Sequence, residues 1–148
     1  MKHTGQIIGI AADHAGYELK EIVKKELTGR GFTVEDFGTH SSDSMDYPDV
    51  AHPLADSVSS GHCSLGFAIC GSGNGICMTV NKHAGIRGAL CWNEEICRLA
   101  REHNNANICC LPARFISEVI AVRLVGIFLE TPFQGGRHTR RCEKIDVK

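Results

Sequence analysis

The sequence predicts an α/β protein: a three-layer, Rossmann-like fold with a five-stranded, mostly parallel sheet flanked by helices. Short apolar runs alternate with amphipathic runs along the whole chain. The run Leu65–Cys70 is apolar throughout, as a strand covered on both faces must be. Polar or glycine-rich segments follow the apolar runs, where such sheets place their ligand-binding loops. The 148 residues suit one domain over 1–148, in which 131–148 reads as a C-terminal tail.

Each element has a local reason. Gln6–Ala12 reads as a buried strand. Over Tyr17–Arg30, Leu19, Ile22, Val23 and Leu27 recur at helical spacing, and Gly29 and Gly31 end the helix. Thr33–Phe37 is a second strand, and Gly38–Tyr47 is a polar loop. Pro48 and Asp49 open a helix to about Ser60, with Val50, Leu54 and Val58 on one face. Leu65–Cys70 is the third strand, followed after the glycines by a short helix over Ile76–Asn81. Arg87–Cys91 is the fourth strand. Asn93 is the N-cap of a helix reaching Glu102, with Glu94 and Glu95 suitably placed in its first turn. Ile108–Leu111 is the fifth strand, and Ser117 caps a last long helix to about Glu130.

Composition excludes several function classes. A formal net charge of −1 argues against nucleic acid or an anionic membrane as the main partner. The start, Met1–Gly5, runs into an apolar segment that Asp13 interrupts, so no secretory leader is expected. Val119–Leu129 is broken by Arg123 and is too short to span a bilayer. None of the eight cysteines stands in a CxxC pair, which argues against a zinc ribbon. Cys91, Cys109 and Cys110 lie in apolar stretches, as small hydrophobes do. Reduced thiols and a cytoplasmic location follow as expectations.

The chemistry concentrates in Ala68-Ile69-Cys70-Gly71-Ser72-Gly73-Asn74-Gly75-Ile76. A dinucleotide-binding GxGxxG would need glycine at position 76, and a Cys-x5-Arg phosphatase would need arginine there; the residue is Ile76. A Walker A loop would need Gly-Lys-Ser/Thr at its end, and Gly75 is followed by Ile76-Cys77. What remains is a cradle of backbone N–H groups, able to hold an anion, beside a cysteine whose thiolate such a cradle stabilises. Asp13-His14 follows the first strand and reads equally as an N-cap or a site. His103-Asn104 closes the fourth helix. Arg137 and Arg141, four apart, share a face on a helical turn and suit a dianion.

Taken in order, these segments resemble the type B ribose-5-phosphate isomerases, within the broader ribose, allose and galactose phosphate isomerase family. The matching residues are Asp13-His14-Ala15-Gly16, Gly38-Thr39, Asp46-Tyr47-Pro48, Cys70 through Ile76, Asn81-Lys82 and Ala84-Gly85-Ile86-Arg87. They continue through Arg101-Glu102-His103-Asn104-Asn105, Arg114 and Gly135-Gly136-Arg137-His138. Pro112 stands where the family more usually has glycine. The resemblance implies interconversion of D-ribose 5-phosphate and D-ribulose 5-phosphate through a cis-enediolate, without cofactor or metal. It implies Cys70 as the base, since a second branch of the family uses a glutamate at the position of Ile76.

By the same resemblance, Ser72 moves a proton between the substrate oxygens. The amides of Gly71, Ser72, Gly73, Asn74 and Gly75 form an anion hole. His103 opens the sugar ring, with His138 in reserve. Asp13, His14, Tyr47 and Asn104 bind the sugar, and Arg114, Arg137 and Arg141, with His14, bind the phosphate. The family's sites form between the subunits of a homodimer, and dimers pair into tetramers. A 6-phosphohexose substrate (allose or galactose 6-phosphate) and a non-catalytic sugar-phosphate binding protein are the alternatives.

Overall fold

The computed structural model describes residues 5–148. Residues 1–4, on which the expectation of no secretory leader partly rests, lie outside the described residues. The elements are β1 (Ile7–Ala12), α1 (Tyr17–Gly29), β2 (Thr33–Asp36), α2 (Pro48–Ser59), β3 (Leu65–Cys70) and α3 (Asn74–Val80). They continue with β4 (Gly88–Leu90), α4 (Glu94–Glu102), β5 (Ile108–Pro112), α5 (Glu118–Glu130) and α6 (Arg137–Glu143). The five strands form one sheet in the order β2-β1-β3-β5-β4, and every pairing is parallel. The predicted α/β class therefore holds. Among the described residues no helix is long and apolar enough to cross a membrane.

Alternation along the strands divides the core in two. Phe67 and Ile69 of β3 face one side with Ile8, Ile10, Cys109 and Leu111, against Val23, Leu27, Leu124 and Phe128 of α1 and α5. Ala68 and Cys70 face the other side with Ala11, Ile108 and Cys110, against Leu54, Ala55, Ile76 and Val80 of α2 and α3. The second side is built from smaller strand residues because α2 approaches closely. A Cβ at Gly9 would stand 2.6 Å from Leu54 Cδ1.

Several element ends shift by one residue from the sequence reading, and two differences are larger. The helix after the glycines starts at Asn74, directly behind Gly73, whose φ of +76° makes the turn. The segment read as a tail contains α6. Apolar periodicity is too short there to announce a helix, and docking holds the segment instead: the Gln134 amide donates to Glu102 O at 3.0 Å. The Cys142 thiol donates to His103 O at 3.4 Å.

Of the buried polar side chains among the described residues, one is covered completely. Lys20 of α1 is fully covered, and its Nζ donates to Asp36 of β2 at 2.5 Å and to Glu21 at 2.8 Å. Lys24 reaches the same Asp36 oxygen at 3.1 Å, and the Gly38 amide donates to the other at 2.9 Å. Burial pushes the Asp36 carboxyl up, but the bonds from Lys20, the Gly38 amide and Lys24 win and hold it below the usual carboxylate range. A carboxylate with a lowered folded-state pKa stabilises the fold above its unfolded value, near pH 4, and loses that contribution as pH falls through the folded value. Asp36→Asn leaves the covered Lys20 ammonium with only the half-exposed Glu21 as counter-charge and should cost about 3 kcal/mol, read from urea unfolding at neutral pH. The gap between variant and parent should shrink below about pH 4.

Candidate active site

β3 lies between β1 and β5, so its last residue emerges at the centre of the sheet's carboxyl edge. That residue is Cys70, which pairs with Pro112 and is 5% exposed. Strand order reverses between β1 and β3, the switch point at which such sheets leave a crevice. A cleft of about 960 Å³ occupies that point. Asp13, His14, Tyr47, Cys70, Gly71, Ser72, Gly75 and Arg114 line it.

Local geometry places each group. At Gly73 a Cβ would stand 2.5 Å from Leu90 Cδ1, so both the φ and the space demand glycine. The Ser72 hydroxyl accepts from the Asn74 amide at 3.2 Å, which uses that amide inside the loop. The amides of Gly71, Ser72 and Gly73 donate to no acceptor among the described residues. The first amide of α3 to close a helical bond is that of Cys77, to Gly73 O, so the Gly75 amide is one of the open helix-end donors.

Tyr47 lies over Gly75, where a Cβ would come within 2.5 Å of its ring. Arg114 lies over Gly71 in the same way, with Nη1 3.1 Å from the ideal Cβ. Its backbone is fixed by two bonds that continue the β3–β5 ladder, Ala113 N–H to Cys70 O at 2.9 Å and Arg114 N–H to Gly71 O at 3.0 Å. Pro112 has no N–H to give, and the ladder closes around it through its neighbours.

Asp13 is buried at the end of β1, and its carboxylate accepts from the Gly16 amide at 3.1 Å. The Met45 amide donates to His14 Nδ1 at 3.2 Å. That bond leaves the proton of the neutral ring on Nε2.

The other expected site residues lie elsewhere. α4 leaves the carboxyl edge at Asn93 and runs back for nine residues, about 13 Å. His103, at its end, is therefore at the amino edge, away from Cys70. α5 makes the same return and delivers Arg137, His138 and Arg141 of α6 to that edge. His103 and His138 stack there with ring centroids 4.2 Å apart and an interplanar angle of 13°. Asn104 lines a separate cavity with Asn81, Arg87 and Ala106. The structure thus assembles the expected residues as two groups at opposite edges of the sheet. The cleft also includes Asp46 and Phe115, to which the sequence reading gave no role. Asp46 stands beside Tyr47 in the polar loop. Phe115, 75% exposed, carries no sequence signal that separates it from any loop aromatic.

Fold and cleft define a Rossmann-like α/β protein with a thiol and free backbone amides at its switch point. The chain belongs to the Ribose/Galactose Isomerase family, whose model matches residues 8–145. It is 38% identical over 138 residues to ribose-5-phosphate isomerase B of Escherichia coli K12, covering 93% of each chain. The crystal structure of a ribose 5-phosphate isomerase from Thermotoga maritima superposes with a TM-score of 0.93 at 50% identity, covering 95% of this chain and 97% of that one. Ribose-5-phosphate isomerase B from Mycoplasma genitalium, solved with bound ribulose-5-phosphate, gives 0.92 at 43% identity, covering 97% of this chain and 95% of that one.

The stacked histidines make a titration that can be followed. Burial lowers the His138 pKa, and the charges of His103, Arg137 and Arg141 lower it further. In an NMR pH titration His138 should therefore turn cationic below the ordinary histidine midpoint, about 6.5. His103→Gln should move that midpoint upward. An unchanged midpoint in the variant would show that the two rings do not interact.

Proposed function

We propose that the chain interconverts D-ribose 5-phosphate and D-ribulose 5-phosphate through a cis-enediolate. The observation that carries this reading is a thiol opening into a cleft that also holds a hydroxyl, free amides and a guanidinium, in a chain of this family. The ribulose-5-phosphate bound to the Mycoplasma genitalium relative supports the substrate.

Cys70 is the base. Its thiolate takes the proton from C2 of the open-chain aldose, the C–H electron pair becomes the C1–C2 double bond, and the carbonyl oxygen takes up the charge. The same sulfur returns the proton to C1. The free amides of Gly71, Ser72, Gly73 and Gly75 receive the enediolate oxygen, each such donor being worth about 3 kcal/mol. The Ser72 hydroxyl carries the proton between O1 and O2. Asp13 and Tyr47 hold sugar hydroxyls. Arg114 and the Nε2–H of His14 face the phosphate.

A homodimer completes this arrangement. One chain's cleft supplies the base and anion hole, and a second copy supplies the groups of its amino edge. His103 opens the ring with His138 beside it, Asn104 holds a hydroxyl, and Arg137 and Arg141 bind the phosphate. The separation of the two groups within one chain supports this reading. All eight cysteines are free, which supports a cytoplasmic location. Docking of α6 supports one domain over 1–148 that includes 131–148.

Cys70→Ala should fold as the parent does and lose about a thousandfold or more in kcat on ribose 5-phosphate, in a coupled assay. Near-parental turnover would remove the base assignment. The shared site has its own test, in which inactive Cys70→Ala and inactive His103→Ala are unfolded, mixed and refolded together. Random pairing makes half the dimers mixed, each with one intact site, so activity should recover to about a quarter of the parent's. No recovery would mean that both groups act within one chain.

A further inference from the structure

The isomerase reading leaves a second group of sulfurs unused. Cys91, just past the end of β4, Cys97 in α4 and Cys109 in β5 are separated in sequence, and each is fully buried. Their sulfur atoms all lie within 4.8 Å of one another. Among the described residues no histidine or carboxylate joins the group. The surroundings are apolar, with Leu111, Leu124 and Phe128 in the same core. The Cys91 thiol donates to Ala89 O and the Cys97 thiol to Leu124 O, both at 3.5 Å.

We propose that Cys91, Cys97 and Cys109 form a buried three-sulfur site for trivalent arsenic, taken up as arsenous acid. The donor set selects the ion. A structural zinc site closes with four ligands, and this pocket offers three. Charge separates the remaining thiophiles. Three thiolates around a monovalent ion leave two negative charges in an apolar core, and around a divalent ion they leave one; around a trivalent centre they leave none. Loading needs no redox partner. Each of three S–H bonds and three As–OH bonds breaks, three As–S bonds form, and three waters leave, with arsenic trivalent throughout.

Trivalent arsenic carries a lone pair, so three sulfurs bonded to it at about 2.3 Å form a pyramid and stand about 3.4 Å apart; the cluster, now within 4.8 Å, has to contract by no more than about 1.4 Å. With every sulfur covered, entry requires α4 to open from the short edge strand β4, and loading is slow.

The test uses the reduced, full-length protein incubated with sodium arsenite. Native mass spectrometry should find one arsenic per chain, and X-ray absorption should find three sulfur neighbours and no oxygen. Cys97→Ala should weaken binding on the order of a hundredfold, as loss of one arm of a chelate does. Cys70→Ala and Cys77→Ala, which leave the cluster intact, should still bind. An arsenic with an oxygen neighbour, no bound arsenic, or binding abolished by Cys70→Ala would overturn the proposal. The absorption result on the parent protein decides the matter even if the Cys97 variant does not fold.

Discussion

The cleft depends on one constraint: β3 is held between β1 and β5 in fixed parallel register, so its final residue has only one place to go. The β3–β5 ladder runs from Gly66↔Ile108 to Cys70↔Pro112 and then continues as two backbone bonds to Ala113 and Arg114. Those bonds fix a thiol and a guanidinium relative to each other without any side-chain contact between them. The loop that follows must turn sharply under Leu90, and glycine at 73 is the residue that fits. Glycine at 75 and 71 then lets Tyr47 and Arg114 close over the loop. A β-carbon at 75 would displace the Tyr47 ring, and one at 71 would make the Arg114 side chain give by a few tenths of an ångström.

The same parallel topology explains why the remaining functional groups stand apart. In a parallel sheet every crossover helix returns the chain from the carboxyl edge to the amino edge. A residue at the end of α4, or in the segment after α5, is therefore delivered to the edge opposite the one where β3 ends. His103, Arg137, His138 and Arg141 occupy those positions. In the proposed isomerisation, proton abstraction and charge stabilisation need a rigid site, and the end of the central strand would supply it. Gripping a phosphate needs cations, which sit more cheaply on helices at the rim. In the homodimer proposed above, two-fold pairing would bring one chain's rim to another chain's cleft without lengthening either.

Much of this was legible in the sequence because it rests on local rules. Asn93 and Ser117 were readable as N-caps, and both accept from the amide three residues on, at 2.8 and 3.2 Å. The continuous apolar run at 65–70 gave β3, and the polar break after it gave the loop. α6 was not legible, because its stability comes from docking onto the end of α4 rather than from an apolar stripe. The split of the site residues was not legible either. A linear motif reports which residues belong together in function, while the return path of each helix decides which edge they reach. The sulfur cluster escaped for a related reason: Cys91, Cys97 and Cys109 have no ligand-like spacing, and tertiary packing alone brings them together.

The eight cysteines also show how burial sorts one element into different kinds of chemistry. Cys91, Cys97, Cys109 and Cys110 are fully covered and Cys63 nearly so, and for these the sulfur acts first as a small apolar group. A polar substrate the size of a sugar phosphate cannot reach them without local unfolding. Cys77 and Cys142 are half-buried and lie outside the cleft, the former accepting a hydrogen bond from Asn81 Nδ2 and the latter donating to the carbonyl of His103. Cys70 alone combines an open path to a cleft with free amides and a guanidinium on its walls. Access in this chain is therefore set by position in the sheet: a thiol within a strand packs, and the thiol at the end of the central strand opens on the cleft.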